Sequence, residues 1–189
     1  MTNNIMLVGV GGQGTLLAGK LLGNAFMSEG YDVKVSEVHG MSQRGGSVFT
    51  YVRYGKEVFS PVINEGEADL ILAFEQLEAA RWLPYLKKGA KMIINTQKIN
   101  PMPVITGAEQ YPADIADKIK SKGVDVTTVD ALDLAIKSGS AKAVNTVLLG
   151  IAAKNTEIKY EAWEKALEKS IPAKFLEMNK TAFKAGYEN

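Results

Sequence analysis

Gly9, Gly11 and Gly14 stand directly after an apolar run, Ile5-Met6-Leu7-Val8, and directly before a helical pattern. This is the spacing G-x-G-x-x-G in the context that gives it chemical meaning. Glycines let the backbone turn tightly and approach a ligand. The first N–H groups of the helix then present partial positive charge to an anion such as a phosphate. A second loop, His39-Gly40-Met41-Ser42-Gln43-Arg44-Gly45-Gly46-Ser47, gathers hydrogen-bond donors and three glycines into a few residues, a good polar recognition surface and a poor generic turn. A dinucleotide site also wants an acidic residue about 20 positions on, at the end of the second strand, to hold the ribose. Glu37 stands near that place. The glycine loop alone leaves three readings open: NAD(P) or FAD, another anion, and plain helix–strand packing.

Other chemistry is excluded by composition. The 189 residues include no cysteine, so the chain has no disulfide, thiolate zinc site, cysteine nucleophile or iron–sulfur cluster on its own thiolates. His39 is the single histidine, which removes a multi-histidine metal site. A formal net charge of +1 gives no bulk electrostatic case for nucleic acid or an anionic membrane. The N-terminus lacks a basic leader segment, and no stretch approaches the roughly 20 apolar residues of a membrane span. A cytoplasmic chain is expected.

Positioning these loops requires an alternation of strands and helices. Strands are expected at Ile5–Val10, Val33–Val38, Ser47–Tyr54, Asp69–Phe74, Lys91–Asn95 and Val124–Val129, with Lys56–Phe59 as a hairpin return and a short strand at Val104–Ile105. Helices are expected at Thr15–Met27, Glu75–Leu86 (weak at Pro84), Ala113–Ser121, Ala131–Lys137, Ala143–Lys154, Tyr160–Lys169 and Ala173–Ala185. The pattern predicts a single α/β domain over residues 1–189, a three-layer α/β/α Rossmann-like sandwich. Its sheet should be mostly parallel, with at least one antiparallel strand in the helix-free Ser47–Phe59 region. Both polar loops should then lie at the carboxyl-end edge of the sheet.

Several residues carry two readings. His39 serves either in proton transfer or, the reading we favour, as a hydrogen-bonding or packing residue. Glu37 either orients His39 or pairs with Arg44 or Arg53. Asn145, on an otherwise apolar helix, either reaches the ligand edge or faces solvent. Glu75 and Gln76 follow a strand, where capping the next helix is the simpler account. Trp82 and Trp163 read as helix packers, and the alternating lysines and glutamates of residues 154–184 as solvated faces.

The two loops together are recognisable. Gly9-Val10-Gly11-Gly12-Gln13-Gly14 and Glu37-Val38-His39-Gly40-Met41-Ser42-Gln43-Arg44-Gly45-Gly46-Ser47-Val48 resemble the pyruvate/ketoisovalerate oxidoreductase common domain, the gamma-type domain of 2-oxoacid:ferredoxin oxidoreductases. The second loop is closest in style to the beta subunits of the indolepyruvate branch. The resemblance continues through Val52-Arg53-Tyr54-Gly55, Ala68-Asp69-Leu70 and Asn145-Thr146-Val147-Leu148-Leu149-Gly150. It implies an accessory subunit, inactive alone, for the oxidative decarboxylation of a 2-oxoacid with coenzyme A as co-substrate. Thiamine diphosphate, magnesium and iron–sulfur clusters are then expected on a large alpha subunit, through which ferredoxin is reached. The candidate ligand-binding residues are Gly9, Gly11, Gly12, Gln13, Gly14, Thr15, Glu37, His39, Met41, Ser42, Gln43, Arg44, Gly45, Gly46 and Asn145. Gly11 to Thr15 would supply backbone and side-chain donors, while Gln43 and Arg44 would meet the ligand or the partner. The competing readings are a free-standing NAD(P)- or flavin-dependent oxidoreductase and a non-enzymatic nucleotide-binding module.

Overall fold

Strand β1 (Thr2–Val10) turns Ile5 and Leu7 into one apolar cluster and Met6 and Val8 into another, all four at most 3% exposed. A strand apolar on both sides has to be covered on both. The computed structural model, which describes residues 2–40 and 45–189, shows that cover. Strands β2 (Asp32–His39), β3 (Ser47–Gly55), β4 (Ala68–Ala73), β5 (Leu86–Asn95) and β6 (Asp125–Val129) join β1 in one sheet of order β2-β3-β1-β4-β5-β6.

Helices α1 (Thr15–Ser28), α2 (Gln76–Trp82), α3 (Met102–Ile105), α4 (Ile115–Lys120), α5 (Ala131–Lys137), α6 (Val144–Lys154), α7 (Tyr160–Ser170) and α8 (Ala173–Glu188) complete the chain. Leu21, Leu22 and Phe26 of α1 share one core with Ala135, Leu148, Trp163 and Phe183 from α5 to α8. Ala79 of α2 and Ile115 and Ile119 of α4 pack on the opposite face, against Met6, Ile71 and Met92. The expected three-layer sandwich therefore forms. Its antiparallel strand is β3, bonded to β1 on one side and β2 on the other, while β1, β4, β5 and β6 run in parallel.

Local expectations fail at three places, each for a physical reason. Lys56–Phe59 is not a return strand. Within it Asp32 Oδ2 accepts from Val58 N–H at 2.8 Å, and just beyond it Arg53 Nη1 donates to the carbonyls of Ser60 and Val62 at 2.9 Å, so side chains hold this stretch of chain in place of a ladder. Val104–Ile105 belongs to α3, whose N-cap is Pro101 and whose first turn contains Pro103. Proline presets the φ of a first helical turn and lacks only an N–H that such a turn leaves unused. The helix expected at Glu75–Leu86 stops at Trp82, and Pro84 shapes a single 3-10 turn, Leu83–Tyr85, before β5 begins at Leu86.

Helices α6 and α8 meet through two glycines. A Cβ on Gly150 would lie 2.1 Å from the Phe183 carbonyl oxygen, and one on Gly186 would lie 2.0 Å from that of Val147. Both obstacles are backbone, so no rotamer change relieves them. Gly186→Ala is expected to cost about 2–3 kcal/mol, the upper part of the range for overpacking. Urea unfolding of wild type and variant checks this, and an unchanged midpoint would show that the helices separate freely.

Candidate functional site

Strands β1 and β2 point the same way with β3 reversed between them, so the loop after β1, the loop after β2 and the start of β3 share one edge of the sheet. Backbone bonds join them there. Gly11 N–H donates to Gly46 O at 2.9 Å, and Gly45 N–H donates to Gly11 O at 3.4 Å. The two loops therefore form one surface, as their sequence positions suggested. Met41, Ser42, Gln43 and Arg44 lie outside the described residues.

The glycine loop divides this edge into two clefts. The first, about 440 Å³, is lined by Gly11, Gly12, Gly14, Thr15, Leu16, Glu37, His39 and Val48. The second, about 360 Å³, lies on the α6 side and is lined by Gly12, Gln13, Gly14, Gln97, Leu132, Ala141, Lys142, Val144 and Asn145. Gly14 sits on the divide with φ +84°, a left-handed conformation that costs an L-residue about 1–2 kcal/mol. It is also the N-cap of α1 and supplies no side-chain cap. The opening N–H groups of a helix have no partner within it, so the start of α1 faces the clefts with donors.

Two of the expected contact residues have structural roles here. The Gln13 side chain lines the second cleft and is bonded within the protein. Its Oε1 accepts from Val10 N–H at 2.7 Å, and its Nε2 donates to Phe74 O and to Gln97 Oε1, both at 3.0 Å. Its backbone N–H is committed as well, to Val10 O at 3.1 Å. Gly9 lies beneath the loop rather than in a cleft. A Cβ there would stand 2.8 Å from Gln13 Oε1 and 3.0 Å from Phe74 Cβ, so this glycine is required by packing against the end of β4. Gly11 lines the first cleft, but its N–H is spent on Gly46.

Glu37 and His39 both face the first cleft. The one hydrogen bond to the Glu37 carboxylate among the described residues is a long one from Thr50 Oγ1, at 3.5 Å. Arg53 is not its partner, because Arg53 pairs in register with Asn4 and Lys34 at the far end of the sheet and donates to Asn4 Oδ1 at 2.9 Å. His39 is exposed, and its Nδ1 lies 3.2 Å from the Gly40 carbonyl. Among the described residues no carboxylate pairs with this imidazole. Asn145 is half-buried and reaches the glycine loop: its Nδ2 stands 2.8 Å from where a Cβ on Gly14 would be.

Buried carboxylates brace the edge from below. Glu75, 1% exposed, caps α2 by accepting from Glu78 N–H at 3.0 Å, and it also accepts from Ile99 N–H at 3.0 Å and from the Tyr111 hydroxyl. Burial, with the Glu75 carboxylate beside it, pushes that hydroxyl well above the ordinary phenol range. Glu78, 4% exposed, accepts from Ser47 Oγ, from Arg81 Nε at 3.1 Å and from Trp82 Nε1 at 3.1 Å. Trp82 is thus more than a helix packer, since it helps hold Ser47, where the second loop enters β3. Trp163 keeps the expected role, buried between Phe26 and Phe183. Among the described residues no group of three His, Cys, Asp or Glu side chains is placed to hold a metal ion, and no helix is long and apolar enough to cross a membrane.

The model of the pyruvate ferredoxin/flavodoxin oxidoreductase family matches residues 4–189. The chain belongs to this family. It is 42% identical over 188 residues to indolepyruvate oxidoreductase subunit IorB of Thermococcus kodakarensis, covering 97% of this chain and 93% of that one. It is 26% identical to the common gamma subunit of the pyruvate/ketoisovalerate oxidoreductases of Thermococcus litoralis, covering 95% and 92%. The crystal structure of the gamma subunit of the keto/oxoacid ferredoxin oxidoreductase from Geobacter sulfurreducens superimposes with a TM-score of 0.74 at 25% identity, covering 98% of this chain and 96% of that one. The fold recurs, at 19% identity and a TM-score of 0.76, as 30% of the chain of a Magnetococcus marinus 2-oxoglutarate:ferredoxin oxidoreductase.

In this family member the fold also separates the site from a dinucleotide fold. With β3 inserted, Glu37 is two strand spacings from β1, about 9–10 Å, where the ribose-binding acid of a dinucleotide fold is one spacing away. Gln97 and Lys142 went unnoticed in the sequence, because each is an isolated polar residue that only the fold brings to the glycine loop. Gly14→Ala is expected to destabilise the chain by roughly 1–2 kcal/mol through backbone strain alone, while displacing Asn145. Chemical denaturation together with the side-chain amide NMR signal of Asn145 measures both, and an unshifted amide would mean that Asn145 does not bear on the loop.

Proposed function

We propose that this chain is the accessory subunit of a 2-oxoacid:ferredoxin oxidoreductase whose 2-oxoacid is indolepyruvate. The observation that carries the reading is 42% identity to an indolepyruvate oxidoreductase subunit over 97% of the chain. In that reaction the oxoacid loses carbon dioxide, its acyl group passes to the thiol of coenzyme A, and the electrons released go to ferredoxin.

The residues present do not fit the iron–sulfur clusters, because without a cysteine the chain has no thiolate to hold one. Thiamine diphosphate and magnesium are read as the partner's as well. Those groups belong to a large alpha subunit, and this chain's share of the work is to bind and orient. Its glycine edge fits coenzyme A as co-substrate. Gly12, Gly14 and Thr15 would present backbone N–H groups to phosphate oxygens, and Glu37 in the first cleft would accept from hydroxyl groups. Gln43 and Arg44 would meet the ligand or the partner. The same fold occurs in the Magnetococcus marinus enzyme, whose structure holds coenzyme A.

The test is reconstitution. The chain and its thiamine-bearing partner, purified separately and mixed, should reduce ferredoxin only when indolepyruvate and coenzyme A are both present, and neither alone should do so. Gly12→Val in this chain should raise the KM for coenzyme A at least tenfold with little change in that for indolepyruvate. Tight NAD binding by the isolated chain, with no effect of coenzyme A on the mixture, would contradict the proposal.

A further inference from the structure

Strand β2 ends the sheet on one side, and no described segment pairs with its outer edge. Such an edge offers a row of free N–H and C=O groups to any extended chain. Folds that expose one keep it short, or break it with proline, a bulge or a free lysine. The opposite edge is short, since β6 has five residues. Strand β2 has eight, without proline or glycine, and pairs with β3 in unbroken register. Its one lysine, Lys34, is drawn back to Asp32 at 2.6 Å.

Both faces at this edge are apolar and half open. On the α1 side, Val33 and Val35 pack toward Gly23, and with Lys20, Asn24 and Met27 they line a groove of about 300 Å³. Met27 is 53% exposed there. On the other side, α2 and α4 lie over β1, β4, β5 and β6, and α2 meets β3 through Trp82, which lies against Phe49. Val38, in register with Phe49, is left 42% exposed. An added strand would cover both faces at once.

A second copy of the chain is a poor occupant. A two-fold that joins two edge strands sets them antiparallel, so residues of the same face stand opposite each other. Val35 opposite Val35 puts Val33 against Glu37 and Asp32 against Val38. Ser36 opposite Ser36 puts Val35 against Glu37 and Lys34 against Val38. The next registers on either side oppose Lys34 to Lys34 or Glu37 to Glu37, and like charges directly opposite are destabilising.

The chemistry of the reaction favours a different occupant. Strand β2 runs into the ligand edge, where Glu37 and His39 line the first cleft. A thiol held at that edge reaches an acyl group on thiamine only if the thiamine-bearing subunit comes close to it. In the Magnetococcus marinus chain the same fold is 30% of the length, so there it is joined to a larger body of protein. We infer that the thiamine-bearing partner subunit docks on β2 by adding an extended strand to the sheet, with an apolar side chain in the groove beside Met27. The inference rests on the reading of this chain as an accessory subunit and adds where the partner sits.

The experiment mixes the full-length chain with its separately purified partner and follows backbone amide hydrogen exchange. A strand paired with β2 protects every second amide, because the alternate ones already bond to β3. Alternating protection of at least tenfold is expected along β2, with the amides of β6 unchanged. Met27→Glu and Val38→Lys, both at exposed positions, should keep the fold by circular dichroism and weaken assembly more than tenfold. Ile105→Lys, on the exposed side of α3, should leave assembly within twofold. Should a variant lose its fold, the exchange pattern of the wild-type pair decides alone. Protection without alternation, β2 amides that exchange as in the isolated chain, or assembly within twofold of wild type for both Met27→Glu and Val38→Lys would overturn the inference. Protection of β2 that grows with the concentration of the isolated chain would overturn it too, because it marks a second copy.

Ferredoxin reduction by the same mixture separates the two claims. Activity that requires indolepyruvate and coenzyme A, with β2 unprotected, leaves the proposed function standing and removes this docking site. Alternating protection without that activity keeps the docking site and removes the indolepyruvate reading.

Discussion

Nine residue pairs, from Thr2 opposite Gly55 to Val10 opposite Ser47, join β1 to β3 in antiparallel register, and the site depends on where that ladder ends. A one-residue slip would turn every side chain of β3 to the other face. That would take Val52 and Tyr54 out of the core they share with Phe26, and Tyr51 out of the opposite one. With the register held, Ser47 arrives beside Val10, and the backbone pairing runs on through Gly46 and Gly11. Two loops separated by a helix and a strand in sequence thereby become one edge. The same ladder pushes β2 outward, which moves Glu37 away from the place an acid takes in a dinucleotide fold.

The glycine loop itself is held by neutral hydrogen bonds rather than charge. Gln13 ties it to the end of β4 and to the segment after β5, and the Phe74 carbonyl that receives Gln13 also receives Asn95 Nδ2 at 3.0 Å. Asn95 Oδ1 in turn accepts from Ala131 N–H at 3.2 Å, at the start of α5. Satisfied buried polar networks of this kind favour one arrangement, because each unmade bond costs more than each made bond contributes. The ends of β1, β4 and β5 and the start of α5 thus keep a common geometry under a loop that has backbone donors to spare.

Much of this was legible in the chain. Buried strands showed as apolar runs, helices as periodic ones, and the shared edge followed from strand direction alone. Glu75 was recognisable as a cap. What escaped was tertiary. Gln13 looked like a ligand donor because its partners lie 61 and 84 residues away. Gln97 and Lys142 carry no local pattern, and Ser47, Glu78 and Trp82 meet only because β3 and α2 lie side by side. Lys56–Phe59 looked like a strand by composition, yet Asp32 takes its Val58 N–H and Arg53 holds the carbonyls just beyond it, at Ser60 and Val62. Proline, taken as a mark of irregularity around Val104–Ile105, instead started a helical turn.

The central claim is that the edge made by Gly11–Thr15 and Gly45–Ser47 receives an anionic ligand across Gly12 and Gly14, in an enzyme completed by a second subunit. A crystal structure of the assembled complex with coenzyme A tests it most directly. The account predicts phosphate oxygens within hydrogen-bond distance of the Gly12 and Gly14 N–H groups, with Gln13 still bonded to Phe74. Coenzyme A seated wholly on the partner, with the glycine edge buried under protein, would contradict it.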